Sequence, residues 1–441
     1  MEQLVKSQTN YPDFRELVRV FARIGCLSFG GPAGQIALMH RELVEERQWV
    51  EEEQYLHALN FCHLLPGPEA QQLATWVGWR LHGVKGGLAA GLLFVIPGAL
   101  VILALSMLYA FAADLAWFAA LFLGIKAAVL AIVVQALIRI GGRALNTRFK
   151  QCVAAAAFVA LFFFNLPFPF VVLGSGALGI FVASQRPDWL ALKASSGLPI
   201  TTPKPWAATA RTVIIWAMIW AAPLVLILAT VGRDHVLWDI GSFFSQLTIV
   251  TFGGAYAVLA YMAQEAVQGF GWLSAGEMAD GLGLAETTPG PLIMVTQFVG
   301  YLAAFRAPEP FTPLVAGIIG AGLTTWVTFA PCFMWIFAFA PWIERMENAS
   351  WLKGGLATLT AAVVGVIANL TVWFALHVFF SQIDERQLGP LRFYWPDPES
   401  FSWQATMLAI FATFLIFRFK WNVIAVLIAA GLGGIGLSFI A

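Results

Sequence analysis

The residues with the most chemical potential sit where an apolar chain interrupts itself. Pro66-Gly67-Pro68 is followed directly by Glu69, then by Gln71 and Gln72. Proline removes a backbone donor and glycine weakens a helix, so this stretch breaks one helix and starts another. The new helix begins with unpaired N–H groups and roughly half a positive charge at its N-terminus. A second break, Phe29-Gly30-Gly31-Pro32, runs into Gln35. Two more follow far along the chain: Thr251-Phe252-Gly253-Gly254 before Tyr256, and Thr287-Thr288-Pro289-Gly290-Pro291 before Gln297. Four helix starts converging on one point would form an anion site, with glycines that let the ligand approach the backbone. Ser28, Thr251, Thr287, Thr288, Tyr256 and the glutamines would add neutral donors. Many weak donors suit an oxyanion, because full charges would hold it too tightly for release. The competing reading is that the glycines only permit close helix packing.

Charged residues inside apolar segments are the second set of candidates. Lys126 lies near the middle of an apolar run, where a lysine must face a cavity or a partner. It is either the formal positive charge of the anion site or the partner of a carboxylate such as Glu69. Glu69, at a helix start, is either a dipole-stabilised cap or a gate that competes with the anion. Glu286, three residues before Pro289, and His63, three before Pro66, are candidates for carrying a coupling proton.

These residues must be positioned by membrane helices. The chain of 441 residues is 59% hydrophobic and 11% charged, where a soluble protein carries about 25% charged residues. Apolar runs long enough to span a bilayer recur. The net charge of zero gives no reason to expect a nucleic-acid partner. Cys26, Cys62, Cys152 and Cys332 are scattered and no metal-ligand spacing occurs, so neither a disulfide framework nor a metal or other cofactor is expected. Residues 1–13 lack the apolar core of a signal peptide, so insertion without cleavage is expected.

The chain also repeats itself. Ser28-Phe-Gly-Gly matches Thr251-Phe-Gly-Gly and Pro66-Gly-Pro matches Pro289-Gly-Pro, both 223 positions apart; Phe21/Phe244, Met39/Met262 and Trp49/Trp272 keep that offset. Farther on the offset is 234, pairing Pro97 with Pro331 and Ala127-Ala-Val with Ala361-Ala-Val. Such duplication is typical of transporters. Segments 14–28, 54–65 and 68–82 would make helices of about 18–22 Å, too short for a hydrocarbon core of about 30 Å. They read as two re-entrant hairpins whose Gly/Pro tips lie inside the membrane, or alternatively as short tilted crossings. The acidic stretch 40–53 between them is expected to face water.

Crossings are expected over 86–111, 114–139, 152–164, 168–184, 212–231, 314–340, 352–380, 401–417 and 421–440. Arg139, Arg143, Arg148 and Lys150 mark one loop as cytoplasmic, and Arg186, Lys193, Lys204 and Arg211 another. The N-terminus then lies inside, and the unpaired helix 212–231 makes the second half enter upside down. The expected architecture is an all-α polytopic membrane protein of two inverted-topology repeats with re-entrant helical hairpins. Residues 1–185 form the first repeat, 186–236 a cytoplasmic linker and connecting helix, and 237–441 the second, with the C-terminus periplasmic.

Taken together, "FGGPAGQIALMHRELV", "FCHLLPGPEAQQLATWVGWRLHG", "GLLFVIPGALVI" and the later Thr-Phe-Gly-Gly and Thr-Pro-Gly-Pro resemble the chromate ion transporter family in its two-domain long form. The resemblance covers nearly the whole chain. It implies a bacterial inner-membrane protein that exports chromate, with sulfate as isosteric competitor, driven by the proton gradient and conferring chromate resistance. The family motif falls here on Phe29, Gly30, Gly31, Pro32, Pro66, Gly67, Pro68, Phe252, Gly253, Gly254, Pro289, Gly290 and Pro291. Ala255 stands where the first half has Pro32, a departure in one tip.

The residues themselves fit a secondary transporter of a tetrahedral dianion, or a passive anion channel built on the same tips. An intramembrane enzyme is not expected, because neither His-Glu-x-x-His nor Gly-x-Ser-x-Gly occurs. Expected partners are chromate or sulfate and the lipid bilayer; the glycine-rich helices also permit a homodimer.

Overall fold

The structure is a computed structural model that describes residues 11–29, 31–112, 115–191, 206–252, 255–343 and 349–439. It is mostly helical. Helix α1 (Phe14–Leu27) starts at Asp13, whose carboxylate accepts from the Glu16 N–H. It buries Leu17, Val20, Phe21 and Ile24 at helical spacing and turns Arg15, Arg19 and Arg23 outward. Helix α2 (Gly31–His40) runs into a π-helical turn, Arg41–Glu46, and α3 (Glu52–Leu64) follows.

Helix α4 (Glu69–Ala112) is 44 residues long but bends at His82 and Gly83, whose backbone is not helical; Gly83 has φ +61°. The bend divides a short limb, 69–81, from a crossing, 84–112. Helices α5 (Ala116–Ala144), α6 (Arg148–Phe162), α7 (Phe168–Gln185) and α8 (Trp206–Thr230) complete the first part.

The second part holds α9 (Val236–Ile249), α10 (Ala255–Gln264) with its π turn (Glu265–Gly269), α11 (Ala275–Thr287), a 3-10 turn (Leu292–Met294), α12 (Val295–Arg306), α13 (Pro313–Phe339), α14 (Ser350–Phe379), α15 (Trp403–Phe417) and α16 (Val423–Ser438). Among the described residues six helices are long and apolar enough to cross a membrane: α4, α5, α7, α8, α13 with its short extension, and α14. The chain is therefore a multi-pass membrane protein. Helices α6, α15 and α16, at 15, 15 and 16 residues, are about 22–24 Å long and need tilt or a thinned bilayer to cross.

Two expectations require correction. The chain is not all-α: Ile383–Leu388 (β1) and Leu391–Pro396 (β2) pair as an antiparallel hairpin, with Leu388 opposite Leu391 across a turn where Gly389 has φ +62°. The mixed charge of this stretch hides strand residues such as Phe393, Tyr394 and Trp395. The acidic segment after α2 is also not wholly solvated. Glu42 is buried, because the Arg47 guanidinium donates to it at 2.5 Å and Arg23 lies 3.7 Å away.

The two parts interlock. Phe333, Ile336 and Phe337 of α13 pack into the core made by α1, α3 and the first part of α4. Val95, Ile102 and Tyr109 of α4 pack into the core built mainly by α5 and α9 to α14. Glycine makes the closest crossing possible: a Cβ on Gly25 of α1 would overlap the Leu93 carbonyl of α4. In the second part the Thr248 hydroxyl of α9 reaches the Val327 carbonyl of α13 at 3.5 Å.

Candidate functional site

The two Pro-Gly-Pro breaks meet the opposite part of the chain. The Gly67 N–H donates to the Thr251 carbonyl at 2.9 Å, and the Gly290 N–H donates to the Ser28 carbonyl at 2.8 Å. Both glycines have positive φ, +115° and +93°, which an L side chain rarely adopts. Each tip is seated on the crossing of the other part. A Cβ on Gly67 would lie 2.8 Å from Cys332 Sγ in α13, and Gly98 of α4 leaves no room for a Cβ beside the Pro289 carbonyl.

The glutamines hold these tips. Gln35 Nε2 donates to the Gly290 carbonyl at 2.5 Å, and Gln72 Nε2 donates to the Pro66 carbonyl at 2.7 Å. Gln71 Nε2 donates to Thr75 Oγ1 at 3.1 Å, and Gln297 Nε2 to the Ala99 carbonyl at 2.9 Å. The hydroxyls of Ser28, Thr251, Thr287 and Thr288 donate to the carbonyls of Ile24, Leu247, Leu284 and Ala285. The donors expected to face a ligand are thus engaged in bonds to the protein, because buried polar groups take the nearest partner. The Oε1 atoms of Gln35, Gln71 and Gln72 are buried without a partner and are acceptors only. Among the described residues, the donors left for an anion include the first-turn amides of α2 and α4, which have no intrahelical acceptor.

Those two helix starts open on a cleft. A space of 820 Å³ is bounded by Pro32 and Ala33 at the start of α2, Glu69 at the start of α4, His40, Tyr55 and His63, and by Arg139 and Arg143 of α5. It adjoins a space of 500 Å³ between α3 and α14, which shares His63 and Thr360 and adds His57, Asn60 and Lys353. Arg139, Arg143 and Lys353 make the cleft attractive to anions by long-range charge. His63 Nδ1 lies 3.5 Å from Glu69 Oε1; the carboxylate is nearly buried and the imidazole half exposed.

Lys126 is placed elsewhere. Its Nζ lies 3.2 Å from Asp280 Oδ1, and the Tyr109 hydroxyl donates to Asp280 Oδ2 at 2.7 Å. The partner is thus Asp280 and not Glu69. Lys126 sits beside Gly276 at the beginning of α11, about 18 Å of helix from the Thr288–Pro291 break beyond its end. Asp280 is a further functional candidate, and its signal in the sequence is a carboxylate within a short apolar limb. Glu286 is buried in α11 before the second tip, and Phe29 and Phe252 are half-buried at the ends of the limbs that lead into the glycines. Gly30, Gly253, Gly254 and the side chain of Tyr256 lie outside the described residues.

Known proteins share this sequence pattern. The family model described as "Chromate transporter" matches residues 15–180 and 238–435. A chromate transport protein of Pseudomonas aeruginosa is 32% identical over 98% of this chain and 94% of its own length. A probable chromate transport protein of Synechococcus elongatus is 29% identical over 81% of this chain and 84% of its own, and a chromate transport protein of Cupriavidus metallidurans 27% identical over 82% of each. No solved structure matches the chain.

Proposed function

This chain belongs to the chromate transporter family, and from that premise we propose that it is a secondary active transporter that exports chromate across the bacterial inner membrane. The observation that carries this reading is the cleft with Arg139 and Arg143 in its wall and the starts of α2 and α4 at Pro32 and Glu69. An anion drawn in by the arginines is held by backbone amides and the helix dipoles near the midplane. Weak donors let it leave again.

In this reading the two parts are inverted-topology repeats, 1–185 and 237–441, joined by 186–236. Segments α2–α3 and α10–α11 with their flanking limbs are re-entrant, the N-terminus is cytoplasmic and the C-terminus periplasmic. The crossed bonds Gly67–Thr251 and Gly290–Ser28 support it, since corresponding atoms make corresponding contacts across the two parts. Lys126 is not counted among the anion ligands, because it is paired with Asp280.

Energetics favour export. Moving a dianion out of a cell with an inside-negative potential releases about 4.6 kcal/mol per 100 mV, from about 2.3 per unit charge. The electrical part of the proton gradient therefore drives the step. Coupling to protons runs through His63 and Glu69, which sit against the cleft, with Glu286 as the related acid of the second part. Sulfate, a tetrahedral dianion of the same charge, is the alternative cargo, because backbone amides do not distinguish the two by charge or shape.

The test is flux of chromate and of sulfate in proteoliposomes under an imposed potential and an imposed pH gradient. Accumulation beyond equilibrium that follows both gradients is expected for the transporter. Accumulation that follows the potential alone and ignores the pH gradient identifies a passive anion channel, and no flux above protein-free liposomes refutes both.

A further inference from the structure

Positions 223 or 234 apart in the chain line two clefts of very different size. Ala37, His40 and Arg139 border the open space of 820 Å³, whereas Ala260, Ala263 and Trp373 border a space of 20 Å³, enough for one water. The same contrast holds in the adjoining space. His57, Asn60 and Thr360 face the 500 Å³ opening between α3 and α14. The positions that correspond to them are Asp280, Gly283 and Lys126, between α11 and α5, and there the helices are in contact. Lys126 and Asp280 are paired at 3.2 Å, Tyr109 seals the second carboxylate oxygen, and a Cβ on Gly283 would overlap Ile125.

The shut cleft also has a cover that, among the described residues, the open one lacks. Hairpin β1–β2 lies over it: Arg392 is buried, its N–H donates to the Phe163 carbonyl at 2.6 Å, and its guanidinium donates to Gln268 Oε1 at 3.2 Å and the Leu161 carbonyl at 3.3 Å. The link that corresponds to the hairpin in the first part, between α5 and α6, is three residues long, 145–147.

We propose that Lys126 and Asp280, steadied by Tyr109, are the latch of the closed cleft and that the β1–β2 hairpin is its lid. The structure is then the state open on the Arg139–Arg143 side. The cargo leaves through a second state, in which the pair parts and α11 stands away from α5 as α3 stands away from α14 here. The proposal rests on the two-part transport reading. An ion pair inside a membrane suits a latch because it is strong while water is excluded, and the parted charges are solvated by the water that fills the opened cleft.

The experiment uses the full chain with its four native cysteines replaced, reconstituted in liposomes, and a membrane-impermeant maleimide. Asn369→Cys reports the shut cleft from the hairpin side, and Thr360→Cys reports the open cleft from the other side. In the parent, Thr360→Cys is labelled and Asn369→Cys is shielded. Adding Asp280→Asn speeds labelling at Asn369→Cys by about tenfold, as a shift of about 1.4 kcal/mol between the two states requires, with Thr360→Cys still reactive. The exchanged pair Lys126→Asp/Asp280→Lys restores shielding, which a general loosening of the fold would not permit. Unchanged labelling with Asp280→Asn overturns the latch, and so does an Asn369→Cys that stays exposed in the exchanged pair. Labelling needs no cargo, so a chain that failed to move chromate would refute the transport reading and leave the latch standing.

Discussion

The Gly67 amide is bonded to the Thr251 carbonyl, 184 positions away in the chain, at 2.9 Å. The bond ties the first Pro-Gly-Pro break to the end of α9, and Gly290 makes the reciprocal bond to Ser28, at the end of α1. Breaks in membrane helices are tolerated where protein satisfies the freed backbone groups, and here each half of the chain satisfies the other. The tips are thereby fixed in place, beside helix starts whose first-turn amides have no intrahelical acceptor.

Adding a methyl group at the tips tests this arrangement. Gly67→Ala places Cβ 2.8 Å from Cys332 Sγ and 2.9 Å from Gln72 Nε2 at a φ of +115°. The backbone strain alone costs about 1–3 kcal/mol. Gly31→Ala, with φ +70° and nothing within 4 Å, meets only the conformational term, about 1–2 kcal/mol. Thermal unfolding in detergent should rank Gly67→Ala well below Gly31→Ala. Equal losses would mean that the tip is not closely packed.

The glutamine clamps should resist even a conservative change. In Gln35→Glu a carboxylate oxygen replaces the amide nitrogen that donates to Gly290, so acceptor faces acceptor. Gln35→Leu leaves the carbonyl short of a partner, at about 1–3 kcal/mol. Both variants should unfold earlier than the parent, the glutamate variant first, with chromate uptake into everted vesicles falling in the same order.

Arginines in the cleft wall act at a distance. Arg139→Gln and Arg143→Gln should raise the KM for chromate by roughly three- to tenfold at low ionic strength and leave the maximal rate nearly intact. Salt at about 1 M shortens the screening length to about 3 Å and should erase the difference. A loss of maximal rate that salt does not touch would place these arginines in direct contact with the cargo throughout the cycle.

Removing one member of the Lys126–Asp280 pair should cost more than removing both. Lys126→Ala strands Asp280 in an apolar setting, at about 3–5 kcal/mol. The double replacement Lys126→Met/Asp280→Leu should recover most of that stability, a non-additivity that unfolding measurements on the four proteins of the cycle would quantify. Transport should be lost in the two single variants and in the double one, because the stability returns without the latch.

Glu69→Gln separates proton coupling from electrical drive. The carboxylate is held beside His63 at 3.5 Å. Chromate flux in proteoliposomes should lose its response to an imposed pH gradient and keep its response to an imposed potential. A variant still driven by pH would move the coupling role to another group.

Much of this was legible in single residues. The breaks before α2 and at Pro66–Pro68 and the long apolar helices α4, α5, α8, α13 and α14 follow from local composition, because proline, glycine and a long apolar run act within a few residues of themselves. The β-hairpin was not legible, since the charges of Asp384, Glu385 and Arg386 mask its alternation in a stretch shaped by pairing with its own second strand.

The sequence by itself determined the glycine–proline breaks between helices, the apolar runs long enough to cross a bilayer and the family the chain resembles. Only the tertiary structure decided that Lys126 faces Asp280, that the glutamine amides clamp carbonyls, and that one cleft is open while its counterpart is shut. Those outcomes depend on which helix lies against which. A buried charge or amide takes whatever partner packing brings within about 3 Å, and the distance between two positions along the chain carries no information about that.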